Sequence, residues 1–485
     1  MATAHDPLPV PLPLEQYARA FDDLFHTSIQ RRHFRNYLAG LLLPRDRTKT
    51  LTALVGAEPI TQAQTAPVQQ LQFFLTEADW DAEALTSRRM AQLQADPVTA
   101  PHADGALVID ETGVRKDGTH TAHVGYQYLG TIGKTANGIV AVTSLWADEQ
   151  VSAPLQVRPY TPASRLAGGK QHPAFRTKPQ LALELVLAAR ALGIPFRAVV
   201  ADSLYGEHPE FKRTMWRADI PYVLALKPSQ IVWTSPPEPE SPWEILGEAA
   251  DRLRWREDQG AQQPGAWTAV VRRFHDGHEE TWWAVDLRLG SYAPEYPTRL
   301  VVATSDPRLL PQASTWYLVT NLPLPATARA AEHPALPAAD LTEVVRLYGL
   351  RQWVEQGYKP VKQELGWGDF QVRADRAIRR HWELVCCAFC FCWWAESHHT
   401  AASVPTLVPP PAAHAPGAGE KWSPASLRTA RDLARRAHQL LAVASSSTVS
   451  SAVSSAVSSA VSSAVSSAVS SAVLAPSPAA GAGLA

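Results

Sequence analysis

The stretch TKPQLALELVLAARALGIPFRAVVADSLYG, residues 177–206, decides the fold class. Its first part, 177–193, reads as a helix: Thr177 is a suitable N-cap, Pro179 suits the first turn, and Gly193 ends it. FRAVVAD, 196–202, follows as a buried strand that ends in an acid, Asp202. Upstream, ALVID (106–110) is another short apolar run ending in an acid, Asp110, and GIVAVTSLWA (138–147) and SAPLQVRPY (152–160) read as two further strands. Downstream, HPEFKRTMWRAD (208–219) reads as a short helix and PYVLALK (221–227) as a last strand. Such alternation predicts an α/β layered domain.

Further out the character changes. Residues 1–100 read as helical, with RRHFRNYLAGLLL and QLQFFLTEADWDAEALTSRRM spaced at helical period and a modest basic cluster of Arg31, Arg32, Arg35, Arg45, Arg47 and Lys49. Residues 231–335 are rich in proline and in short aromatic runs (WTAVVRRFH, ETWWAVDLRL, TRLVVATS, TWYLVTN), the pattern of a β-meander. From Leu341 the chain is helical again to about His398. A Pro/Ala/Gly linker, a short basic helix at 423–444 and six SSAV repeats from Ser450 to Val473 follow. These repeats bury too little to offset ordering entropy and read as a disordered tail.

Bulk composition excludes more than it assigns. With 45 Lys+Arg against 46 Asp+Glu the net charge is -1, so any basic surface is local. Four cysteines in 485 residues do not make a disulfide framework. The N-terminus lacks a basic start and apolar run, and the longest apolar stretch, near Leu384–Ala395, falls short of a membrane span. A cytoplasmic protein without a membrane partner is expected.

Asp110 and Asp202 each end an apolar strand, where sites collect in open α/β sheets, although either acid alone is more often a cap or turn residue. A third acid, Glu355, lies in RLYGLRQWVEQGYKPVKQELG. At about 100° per residue, Tyr348, Arg351, Glu355 and Lys362 share a stripe roughly 60° wide, beside an apolar face containing Leu347, Leu350, Val354 and Leu365. The simpler reading is an exposed helix with an Arg351–Glu355 pair at i,i+4, and Pro360 should kink it in either case.

The spacing Tyr348-x2-Arg351-x3-Glu355-x6-Lys362 resembles the signature of insertion-sequence DDE transposases that carry a β-rich insertion domain. VIDETGVRKDG around Asp110 and VVADSLYGEHPEF around Asp202 are similar to that group's two aspartate motifs, and the likeness runs over roughly residues 30–400. Glu111 stands where relatives often have a second Asp, and Asp110 is favoured over it because it directly follows the strand.

The resemblance implies an RNase H-like α/β catalytic core split by a β-rich insertion, with a helical N-terminal domain. Its divisions fall at 1–100 (helical, DNA-binding), 101–230 (first part of the core), 231–335 (insertion), 336–400 (helical second part) and 401–485 (linker, basic helix, tail). It implies that Asp110, Asp202 and Glu355 are catalytic and hold two Mg²⁺ or Mn²⁺ ions, Asp110 bridging both. Tyr348, Arg351 and Lys362 would grip phosphates of double-stranded DNA, transposon end and target alike, within a homodimeric synaptic complex on the bacterial nucleoid. Two rival readings are a transposase-derived DNA-binding protein without catalysis and an RNase H-like nuclease without transposition.

Three further features carry less. Cys386, Cys387, Cys390 and Cys392 lack paired C-x2-C units and read as small hydrophobes in a buried helix, so zinc is not expected. Trp267, Trp282, Trp283 and Trp316 read as core of a small sheet, with relatives implying that an insert aromatic stacks on a flipped base. Arg373, Arg376, Arg379, Arg380 and His381 give a local basic excess suited to phosphate, or else a solvated helix face.

Overall fold

Along β1 (Ala106–Arg115) the side chains alternate between two cores. Leu107 and Ile109 pack into the larger, Ala106 and Val108 into the smaller, because successive residues of a strand face opposite ways. In the parallel neighbour Ala198–Ala201, Val199 and Ala201 join the larger core, Ala198 and Val200 the smaller. Burial on both faces is why these segments read as unbroken apolar runs.

The structure, a computed structural model, describes residues 11–43, 47–59, 61–233, 243–255, 266–274, 278–287, 298–325, 327, 336–352 and 364–399. After β1 the strands are β2 (Gly125–Leu129), β3 (Lys134–Ala147), β4 (Ser152–Tyr160), β5 (Ala198–Ala201), β6 (Tyr222–Ala225), β7 (Ile231–Trp233), β8 (Trp243–Ile245), β9 (Thr268–Arg273), β10 (Glu279–Leu287), β11 (Arg299–Thr304) and β12 (Thr315–Thr320). Ten of them form one mixed sheet in the order β2-β3-β1-β5-β6-β12-β11-β10-β9, with β4 also paired to β3. β1, β5 and β6 are mutually parallel, while β3, β4 and the β9–β12 run pair antiparallel. The expected meander is present, but not as a small sheet of its own. β12 pairs with β6, so these strands prolong the central sheet. β2 was not anticipated: in GYQYL both tyrosines are exposed and Leu129 is the one fully buried residue, so no apolar run marks it.

Helix 178–191 starts as the sequence predicts, with a capping box between Thr177 and Gln180, and Gly193 follows it at φ +69°. The N-terminal region is helical, but the run read as continuous over 70–90 is two helices, Ala66–Thr76 and Ala82–Ala95. Trp80 folds between them, its indole donating to the Phe74 carbonyl at 2.7 Å, and Asp81 caps the second helix through the Glu83 N–H. Much of the basic cluster here is structural. Arg35 is buried and pairs with Glu15 and Asp22, and Lys49 is buried, donating to the carbonyls of Leu41 and Leu43.

These helices close over the long helix Asp375–His399, the spine of the larger core. Tyr17 donates to the Cys387 carbonyl, Tyr37 bonds His381, and the fully buried Arg89 pairs with Glu383 at 2.6 Å. All four cysteines lie buried on this helix, and burial pushes their thiols up. Among the described residues no helix is long and apolar enough to cross a membrane. The helix Leu341–Gly349 packs on the smaller core, on the opposite face of the sheet. The helix expected to run on from Leu341 is interrupted: it ends at Gly349, and Leu365, Trp367, Phe370 and Val372 enter the core from an irregular segment before Asp375. Glu355 and Lys362, and everything from residue 400 to the tail, lie outside the described residues.

Candidate active site

β1 and β5 pair in register from Ala106↔Ala198 to Ile109↔Ala201, an offset of 92 residues (198 − 106). Asp110 and Asp202 are separated by the same 92 (202 − 110) and each stands one step past the last pair. They therefore lie at one level, on strands about 4.8 Å apart. Only Asp202 stands at a strand end, however: β1 runs on to Arg115 with Asp110 paired to Thr143 of β3, so Asp110 does not end a strand as the apolar run suggested. Alternation puts both on the face of Val108 and Val200, beneath the helix Leu341–Gly349. Glu111 faces the other way, where Lys178 at the start of helix 178–191 pairs with it at 2.5 Å.

One cation lies against both aspartates. Arg351 Nη2 donates to Asp110 Oδ1 at 3.1 Å and lies 3.9 Å from Asp202 Oδ2. The early end of the helix makes this reach possible: the Arg351 N–H bonds back to the Tyr348 carbonyl at 3.1 Å, turning the side chain down onto the two aspartates. Burial pulls the guanidinium's pKa down, but Asp110, Tyr348 and Asp202 outweigh it and hold it above its usual value. Among the described residues the helix is interrupted at Leu350 and Arg351, and Arg351 engages Asp110; the rest of the stripe, Glu355 and Lys362, lies outside the described residues.

Asp202 is also the N-cap of the turn Ser203–Gly206, accepting from the Leu204 N–H at 3.0 Å. Gly206 lets that turn lie against β6: a Cβ there would stand 1.9 Å from the Ala225 carbonyl oxygen. Asp110 is fixed through its backbone, whose carbonyl accepts from Thr143 Oγ1 at 3.1 Å.

Tyr348 is buried rather than presented at a rim, and burial raises its pKa. Its ring meets Trp316 edge-on at 4.9 Å, and Trp316 leans on Trp282 at 4.3 Å. The Arg272 guanidinium lies over both tryptophans and donates to Gln352 Oε1 at 3.2 Å. The strands β9, β10 and β12 so wall one side of the site. Sequence reading named Trp282 and Trp316 only as core of a small sheet and did not name Arg272, since nothing local marks contacts made across the sheet. Part of the basic run following the site is internal: Arg380 is buried against Trp80 and backbone carbonyls, and His381 is buried between Tyr37 and the Gly366 carbonyl.

The donor chemistry fits a hard divalent cation, because two carboxylates converge on a position where the protein itself places positive charge. Among the described residues no set of three His, Cys, Asp or Glu side chains gathers.

A family model described as DDE superfamily endonuclease matches residues 20–293. The "Probable transposase for insertion sequence element IS701" of Microchaete diplosiphon is 33% identical over 312 residues, covering 63% of this chain and 68% of that protein.

Proposed function

This chain belongs to the DDE superfamily endonucleases and is a transposase of the insertion-sequence kind, and on that premise we propose that Asp110 and Asp202, joined by Glu355, hold divalent metal for cutting and rejoining DNA. The observation carrying the proposal is the shared register and face of the two aspartates on neighbouring parallel strands. The strand order β4-β3-β1-β5-β6, with only β3 reversed in the interior, supports an RNase H-like core. That core is formed by 101–230 and 336–400, with 231–335 inserted and a DNA-binding helical region before it.

Two Mg²⁺ or Mn²⁺ ions, when bound, supply a low-pKa water and neutralise the leaving oxygen. Asp110, Asp202 and Glu355 would hold them through carboxylate oxygens. Arg351, released from the aspartates, pairs with a phosphate of the transposon end, as does Lys362, and Tyr348 braces Arg351. Water attack at phosphorus breaks the bond to the 3′ oxygen and frees a 3′-OH; that hydroxyl then attacks a target phosphate, forming the joining P–O bond as the bond to the target's own 3′ oxygen breaks, that oxygen leaving as a new 3′-OH. Pairing of two ends calls for a homodimer, acting on the nucleoid in the cytoplasm.

The experiment is incubation of DNA bearing the element's end with protein and Mg²⁺. Nicks and joined products are expected, both lost in chelator and in Asp202→Asn, while end binding persists. Binding without any cleavage would favour a non-catalytic DNA-binding protein, and cuts without joined products a nuclease.

A further inference from the structure

Along β9, Val270 enters the smaller core, and alternation sends Arg272 to the same face, the one that carries Asp110 and Asp202. There its guanidinium lies over three rings, 4.1 Å from Phe274, 4.5 Å from Trp316 and 4.8 Å from Trp282. Glu280, its cross-strand neighbour on β10, accepts from the Trp282 indole at 2.8 Å. Arg272 Nε is buried without a hydrogen-bond partner among the described residues. Burial pulls the guanidinium's pKa down, and Glu280 only partly offsets this. A charge held among rings is a costly way to fill space, since methionine would stack there without the desolvation. What the charge and its donors reach is the end of the helix Leu341–Gly349. A Cβ at Gly349 would stand 3.6 Å from Arg272 Nε, and Arg272 Nη2 donates to Gln352 Oε1 at 3.2 Å. A cation suits this place, where the last carbonyls of a helix collect negative potential. Between Gly349 and Gln352 the chain makes the turn that carries Arg351. Trp316, under the same guanidinium, meets Tyr348 edge-on, so both flanks of that turn are held from β9 and β12.

We infer that Arg272 is a positioning residue: it fixes the turn at Leu350 and Arg351 so that the Arg351 guanidinium rests on Asp110 and Asp202 until a divalent cation displaces it. The inference rests on the metal-binding reading given above. Arg272 acts through Arg351 rather than on the aspartates, which separates it from a residue that merely packs.

The test is a double-mutant cycle of Arg272→Met, which keeps the stacking and removes the charge, with Arg351→Ala. Mn²⁺ alone is the probe, titrated by calorimetry into DNA-free protein. Since metal must displace Arg351, loosening its hold should raise Mn²⁺ affinity roughly fivefold in Arg272→Met, the size of one net hydrogen bond. Gln352→Ala, which removes the acceptor, should shift the affinity the same way, and it decides the matter if Arg272→Met does not fold. With Arg351→Ala already in place, neither change should alter Mn²⁺ affinity. Unchanged or weaker Mn²⁺ binding in either variant that folds would overturn the inference. So would an equal shift with and without Arg351, because a packing effect acts in both backgrounds. If wild-type protein and Arg351→Ala both fail to bind Mn²⁺, the metal reading itself falls and this inference with it. Wild-type binding that is lost in Asp202→Asn, yet indifferent to Arg272 and Gln352, sinks this inference alone.

Discussion

At the scale of single residues, Arg351 is the group whose behaviour most sharply distinguishes a working site from a static one. Its guanidinium touches Asp110 and approaches Asp202, so in metal-free protein it offsets the repulsion between two neighbouring carboxylates. Arg351→Ala should therefore destabilise the protein in chelator by about 1.5–3 kcal/mol, the range for a hydrogen bond to a charged group. Most of that loss should vanish in saturating Mn²⁺, because the cation then separates the same two charges. Urea unfolding in both conditions measures it. An equal loss with and without metal would reduce Arg351 to packing. Asp110 does not directly follow its strand, the sequence ground for preferring it over Glu111, because β1 continues through both acids to Arg115. The structure supplies the cause instead: period-two alternation sends Glu111 to Lys178 on the opposite face.

At the scale of elements, the long helix Asp375–His399 carries a titratable group in its packing. Burial depresses the His381 pKa to about 4, with Lys116 nearby adding to the effect and Asp369 opposing it. The folded protein thus keeps this histidine neutral while the unfolded chain takes up a proton near pH 6.5. Its contribution to stability is full above about pH 6.5 and is lost as pH falls toward 4. Between pH 7 and 4.5 the loss should be about 2–3 kcal/mol for this group. His381→Asn should flatten that part of the stability–pH curve, and parallel curves for the two proteins would contradict the assignment. The same helix illustrates what sequence reading misses. The arginine and histidine at 380 and 381 fit a phosphate-binding run by spacing, yet both are buried against the N-terminal helices, which no local pattern reveals. Conversely, the helix from Lys178, the β4 boundaries and the meander strands were legible, because capping residues and period-two runs are local signals. The break at Gly349 was not, since the apolar period continues through it.

At the scale of the whole molecule, a net charge of -1 means that any grip on DNA comes from a few placed cations. Lys362→Ala should then weaken binding of transposon ends at low salt and flatten the dependence of log affinity on log salt by about 0.9 units. An unchanged slope would remove Lys362 from the phosphate contacts. The shape of the sheet carries the central claim. Parallel β1 and β5, buried on both faces, deliver two aspartates 92 residues apart to one position, while Glu111 lies on the other face. One measurement tests this most directly: Mg²⁺-dependent nicking of end-bearing DNA by Asp110→Asn, Asp202→Asn and Glu111→Gln side by side. The account predicts that both aspartate variants lose cleavage while Glu111→Gln keeps at least about a tenth of it, less than the roughly 1.4 kcal/mol that a tenfold change represents. Near-normal nicking by Asp110→Asn, with none by Glu111→Gln, would contradict it.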